Sequence, residues 1–133
     1  MTGSYVLIIS LDRPRRIEVG ALGEIDFPAG AYAYVGSAMG GLDARIARHL
    51  RDDRRLHWHV DYLLQHAEVV HVVRVESDER LECRIATGLA ERLPVVDGFG
   101  SSDCACAGHL FGPAPVADSI SAAKAAVAAA ENG

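Results

Sequence analysis

Tyrosines, an arginine and a histidine stand in this chain at spacings that suit phosphate chemistry. Tyr32 and Tyr34 alternate with Ala31, Ala33 and Val35, so on an extended strand both phenols project from one face. Gly36, Ser37, Gly40 and Gly41 follow, a turn in which backbone can approach a ligand without side-chain obstruction. Arg45 and His49 come next, four apart and therefore stacked on one edge of a helix beside Leu42, Ile46 and Leu50. Phenols, a guanidinium and a glycine turn make a place to hold and attack a phosphate. Arg48 and Arg51 point further outward, toward solvent or a backbone phosphate.

Glu82 is the sharpest single residue. On a helix advancing ~100° per residue with Leu81 at zero, Ile85, Leu89 and Leu93 fall near ~40°, ~80° and ~120°. Glu82, near ~100°, lies inside that apolar stripe. A carboxylate directed at a core is costly unless paired or metal-bound, so Glu82 is a partner for a buried arginine, a residue exposed by rotation of the helix, or a metal-binding, catalytic acid. Cys83 beside it lies off the stripe and carries no assigned role.

Three further groups hold chemistry-bearing side chains. His57, Trp58, His59 and Asp61 cluster within five residues; on a helix Asp61 would orient the His57 imidazole, and Trp58 either packs the fold or stacks on a base. Cys104, Cys106 and His109 form C-x-C-x-x-H, three ligands of a Zn²⁺ site whose fourth His57 or His59 would supply, or else the cysteines are small loop-packing residues. Gly100, Ser101, Ser102 and Asp103 form a polar turn rich in donors.

The elements that must position these residues follow from periodicity. Residues 5–11 (YVLIISL) are nearly continuously apolar, as in a central strand buried on both faces. Residues 16–19 and 24–27 alternate around a glycine-containing turn and suit a hairpin. The tyrosine strand, a helix over 41–51, a short helix from His57, a β-branched strand over 68–75 and a helix over 79–93 capped by Asp78 come after. Residues 94–112 read as a loop, and the alanine-rich stretch 121–130 as a helical appendage that frays. This order predicts an α+β domain over 1–112 with a small, mostly antiparallel sheet covered by helices, and a C-terminal tail over 113–133.

Composition bounds the function. At 133 residues the chain suits one domain, and no apolar run is long enough to cross a bilayer. Three cysteines and no secretory signal pattern predict a cytoplasmic protein with reduced thiols. The net charge of −5 argues against a strongly basic coat for nucleic acid, yet five arginines between positions 45 and 55 make a local cationic stretch. Asp43, Asp52 and Asp53 balance it, so a solvated helix face is the other reading. No solenoid repeat and no Walker or dinucleotide fingerprint is present.

With these residues in view, the chain resembles the GIY-YIG nuclease superfamily. GSY at Gly3–Tyr5 resembles its first signature and YVG at Tyr34–Gly36 its second, with Arg45 and His49 on the following helix and Glu82 on a later one. FPAGAYAYVGSA, RIARHL, HWHVDYLL, LECRIA and FGSSDCACAGHLF are similar to its compact Uri-type branch of uncharacterised domains, over about the first 112 residues. The resemblance implies a metal-dependent endonuclease acting on nucleic acid, DNA ahead of RNA. It further implies that Glu82 holds Mg²⁺ or Mn²⁺, that Arg45 stabilises the scissile phosphate, that Tyr5 accepts a proton from the attacking water or positions it, that Tyr34 binds the phosphate or assists that step, and that His49 belongs to the same catalytic set. Tyr32, Gly36, Ser37, Arg48, His57 and Ser102 would then contact substrate. The first signature reads GSY, its tyrosine stands further than usual from Tyr34, and no asparagine precedes Asn132, so Ser102 or Asp103 would replace the superfamily's late metal-side asparagine. A binding module of the same fold without turnover, and a small zinc-stabilised interaction domain, are the alternatives.

Overall fold

The computed structural model describes residues 2–51, 56, 58–100 and 106–132. Its centre is an antiparallel four-stranded sheet in the order β5-β1-β4-β6, built from β1 (Gly3–Leu11), β4 (Gly30–Ala38), β5 (Glu68–Glu76) and β6 (Leu110–Ala114). β1 is the inner strand that its apolar run predicts. Tyr5, Leu7, Ile9 and Leu11 face one core, while Val6 and Ile8 face the other. An α+β sheet covered by helices is therefore what the chain forms.

The first face carries a hairpin of β2 (Arg15–Glu18) and β3 (Glu24–Phe27), helix α1 (Leu42–Leu50) and the short helix α2 (His59–Leu63). In α1 the buried positions are Leu42, Ile46 and His49, whereas Leu50 is exposed. The stripe thus runs i, i+4, i+7, and it carries His49 inward instead of leaving it at the border. Asp61 caps α2, its Oδ2 accepting the Trp58 N–H at 2.8 Å.

The second face is covered by α3 (Glu82–Ala90) and α4 (Val116–Asn132). Three expectations change here. The helix predicted from residue 79 starts at Glu82, because the Ser77 hydroxyl accepts the Glu79 N–H and holds residues before Leu81 in a turn. The alanine-rich stretch is helical but does not hang free: Ala122, Ala123, Ala126 and Ala130 are buried against α3 and the sheet. A Cβ on Gly88 would lie 3.0 Å from that of Ala126, so small residues on both helices allow their close packing. β6 was not legible in the segment read as a loop; its buried Leu110 and Phe111 pair with Tyr34 and Ala33 of β4 at the sheet's edge. Among the described residues no helix is long and apolar enough to cross a membrane.

Candidate active site

The start of β1, the end of β4, the approach to α1 and the first turn of α3 meet at one end of the sheet. They enclose a polar cavity of about 330 Å³ lined by Tyr5, Tyr34, Gly36, Ser37, Arg45 and Glu82, together with Met39, Gly40, Trp58, Arg80 and Gly100. A larger surface cleft of about 550 Å³, with Asp12, Arg15, His66 and Glu68 in its wall, lies elsewhere and includes neither phenols nor the α3 carboxylate.

Register places the first phenol. Tyr5 pairs with Gly36 across β1 and β4, and its ring lies over that glycine. A Cβ at position 36 would come within 2.5 Å of Tyr5 Cζ, so only glycine leaves room for the phenol. The Tyr5 hydroxyl then meets His49 Nε2 at 2.8 Å in a buried hydrogen bond. Burial pushes the Tyr5 phenol up to about 12, against the opposing pull of the Arg45 guanidinium. Tyr34 packs edge-on to His49 and Phe99, and burial raises it well above the ordinary phenol value, with the Tyr5 phenol adding to the effect.

Arg45 donates to the Ser37 carbonyl at 3.1 Å, and its guanidinium lies 4.4 Å from the centre of the Trp58 ring. That contact, of the cation–π kind, holds the arginine at the cavity wall. Glu82 occupies the first turn of α3, where the helix dipole favours a carboxylate, and its side chain is 18% exposed. Its Oε2 lies 2.9 Å from Nδ1 of His109, so its partner is an imidazole and not the buried arginine that the apolar stripe left open. His59 Nδ1 accepts the Gly100 N–H at 2.7 Å, which ties the cavity's far wall to α2. Burial lowers the His59 pKa.

The residues expected from sequence divide accordingly. Tyr5, Tyr34, Gly36, Ser37, Arg45 and Glu82 line the cavity, and His49 stands directly behind Tyr5. Tyr32 shares the face of Tyr34 but is not brought there: its hydroxyl donates to the Pro28 carbonyl at 2.6 Å, beside Phe27. Arg48 is not turned outward to a phosphate. It forms a two-pronged pair with Asp61, at 3.0 and 3.1 Å, and lies over Trp58. Asp61 is therefore the carboxylate for Arg48 and the α2 cap. His57, Ser102, Asp103 and Cys104 lie outside the described residues.

Sequence reasoning missed Arg80 and Cys83. Arg80 reaches the cavity because residues before Glu82 form a turn, and the Ser77-x-Glu79 pattern was the signal for it. Cys83, Cys106 and His109 lie together, with their ligand atoms all within 4.8 Å of one another, close enough to hold a metal ion. The thiol partner of Cys106 and His109 among the described residues is thus one from α3, and His59 is engaged with Gly100 instead.

No curated protein and no solved structure matches the chain. One family model matches residues 4–132, from β1 through α4, and the chain belongs to that family, described as domain of unknown function DUF123.

Proposed function

We propose that the chain is a divalent-cation-dependent phosphodiester hydrolase of the GIY-YIG kind, acting on nucleic acid and on DNA ahead of RNA. The observation that carries this reading is the convergence of Tyr5, Tyr34, Arg45 and Glu82 on one cavity from four different elements. Among the described residues two arginines and one glutamate line the cavity, an excess of positive charge that favours an anionic group there. A volume of about 330 Å³ accommodates a phosphodiester with its waters.

Mg²⁺ (or Mn²⁺) fits the donor set. Mg²⁺ keeps several waters and takes one or two carboxylates plus substrate phosphate, and Glu82 is the carboxylate that lines the cavity. When bound, such an ion supplies charge neutralisation at the phosphate. Glu82 holds it; Arg45 and Arg80 orient the phosphate and stabilise charge that develops on it.

Tyr5 does not act as a free phenolate. With a pKa of about 12, its ionisation at neutral pH would cost about 7 kcal/mol, at about 1.4 kcal/mol per unit. The 2.8 Å bond to His49 Nε2 supports a relay instead: as the phenol oxygen takes a proton from water, its own proton passes to the imidazole. Tyr34 supports the phosphate from the adjacent strand as a neutral donor.

A panel of labelled DNA and RNA structures, duplex, flap, branched and single-stranded, incubated with Mg²⁺ or Mn²⁺ tests the proposal. Cleavage that disappears in Glu82→Ala and falls in Tyr5→Phe is the expected result. The burial of both phenols favours a second reading, a module that binds nucleic acid through Arg45 and Arg80 without turnover. Salt-sensitive, metal-independent binding with no cleavage of any substrate would replace the first reading by that one.

A further inference from the structure

We infer that Cys83, Cys106 and His109 form a binding site for one soft divalent cation, zinc by its ligand chemistry, seated behind Glu82 and distinct from the oxygen-lined cavity. The residues come from two places remote in sequence. Cys83 is the second residue of α3, while Cys106 and His109 precede β6. His109 is fixed in place by the backbone on both sides: its N–H donates to Phe99 O at 2.7 Å, and its carbonyl accepts the Val35 N–H at 3.0 Å. Cys106 is half-buried against the second core, and Cys83 is at the surface. The site thus has a rigid imidazole floor and a solvent-facing thiol, so an ion can enter from outside.

Geometry and ligand type agree. Zinc–sulfur bonds of about 2.3 Å and a zinc–nitrogen bond of about 2.0 Å give tetrahedral edges of roughly 3.5–3.8 Å. Ligand atoms already within 4.8 Å of one another need to close by on the order of 1 Å at most. Two thiolates and an imidazole select Zn²⁺ or a similarly soft ion over Mg²⁺, which requires oxygen. Nδ1 of His109 faces the Glu82 carboxylate at 2.9 Å, which leaves Nε2 for the metal. Carboxylate, histidine and metal in series is an arrangement that fixes the imidazole's orientation. It would also hold Glu82 at the cavity wall, joining a structural site to the candidate catalytic acid.

Metal content tests this without reference to cleavage. Protein purified under reducing conditions, loaded with Zn²⁺ and desalted is measured by mass spectrometry of the metal. Co²⁺ titration then reports thiolate ligation through its sulfur-to-cobalt charge-transfer absorbance. The expected result is one ion per chain with that absorbance. Cys83→Ser and Cys106→Ser should each weaken binding by more than roughly 100-fold, and Glu82→Ala by roughly 10- to 100-fold with the absorbance retained. Far-UV circular dichroism of each variant, compared with metal-free wild type, separates a lost ligand from a lost fold. Three results overturn the proposal: no retained zinc in the reduced wild type, cobalt binding without the charge-transfer absorbance, or Cys83→Ser binding as tightly as wild type. A chain that binds zinc in this way but cleaves no nucleic acid leaves the inference standing while removing the nuclease reading.

Discussion

Tyr5 should make the protein lose stability in alkali in a way that one oxygen atom controls. Its phenol is 1% exposed, hydrogen-bonded to His49, and raised by burial from 10.0 to about 12. The folded value lies above the unfolded one, so the folded protein keeps a proton that the unfolded chain releases first. Stability from this group is complete below pH 10.0 and falls as pH rises toward about 12. At about 1.4 kcal/mol per unit the loss is about 1.4 kcal/mol by roughly pH 11 and about 3 kcal/mol over the full window. Tyr5→Phe removes this dependence but also removes the bond to His49, at a cost of about 1–2 kcal/mol at neutral pH. Urea unfolding followed by fluorescence of Trp58, at a series of pH values from neutral to alkaline, should therefore show the variant less stable near neutrality. The two curves should converge near roughly pH 11. Tyr32, also raised by burial, contributes a background slope common to both proteins, whereas Tyr34 loses in the variant the part of its elevation that the Tyr5 phenol adds. Curves that stay parallel across the alkaline range would mean that Tyr5 ionises alike in both states, and both the buried phenol and the relay built on it would fall.

Other outcomes follow from the same geometry. Arg48→Met should cost about 3–5 kcal/mol by urea unfolding, because it leaves Asp61, 0% exposed, without its two-pronged partner. Asp61→Asn should cost less, since the Arg48 side chain is 22% exposed and can reach water; the opposite order would contradict the pairing. Gly36→Ala should destabilise by about 1–3 kcal/mol through its clash with the buried Tyr5 ring. A wild-type urea midpoint in that variant would show the ring lies elsewhere. His59 has a folded pKa below its ordinary 6.5, so its contribution is present above that value and is lost as pH falls below it. Unfolding measured across mildly acidic pH should be flatter for His59→Gln than for wild type, and equal slopes would remove His59 as the anchor of Gly100.

Periodicity alone determined the sheet's inner strands, the hairpin and the first two helices, because their burial patterns have short repeats that local sequence records. The run at residues 5–11 forecasts a strand buried on both faces, and β1 is one, paired antiparallel to the tyrosine strand. The residue types of the cavity were legible too. Tyr34, Gly36, Arg45 and Glu82 stand out by spacing or by a carboxylate in an apolar stripe, and Tyr5 by its resemblance to a signature.

Which of those side chains meet was decided only in three dimensions. Tyr32 and Tyr34 have the same local pattern, yet the packing of Phe27 and the Pro28 carbonyl hold one in the core while the other borders the cavity. Arg48 looked like a phosphate ligand until α2 brought Asp61 against it, and Cys83 looked idle until α3 brought it beside Cys106 and His109. Contacts between elements remote in sequence depend on strand order and helix placement. These are set by burial summed over the whole chain, and no window of neighbouring residues contains that sum.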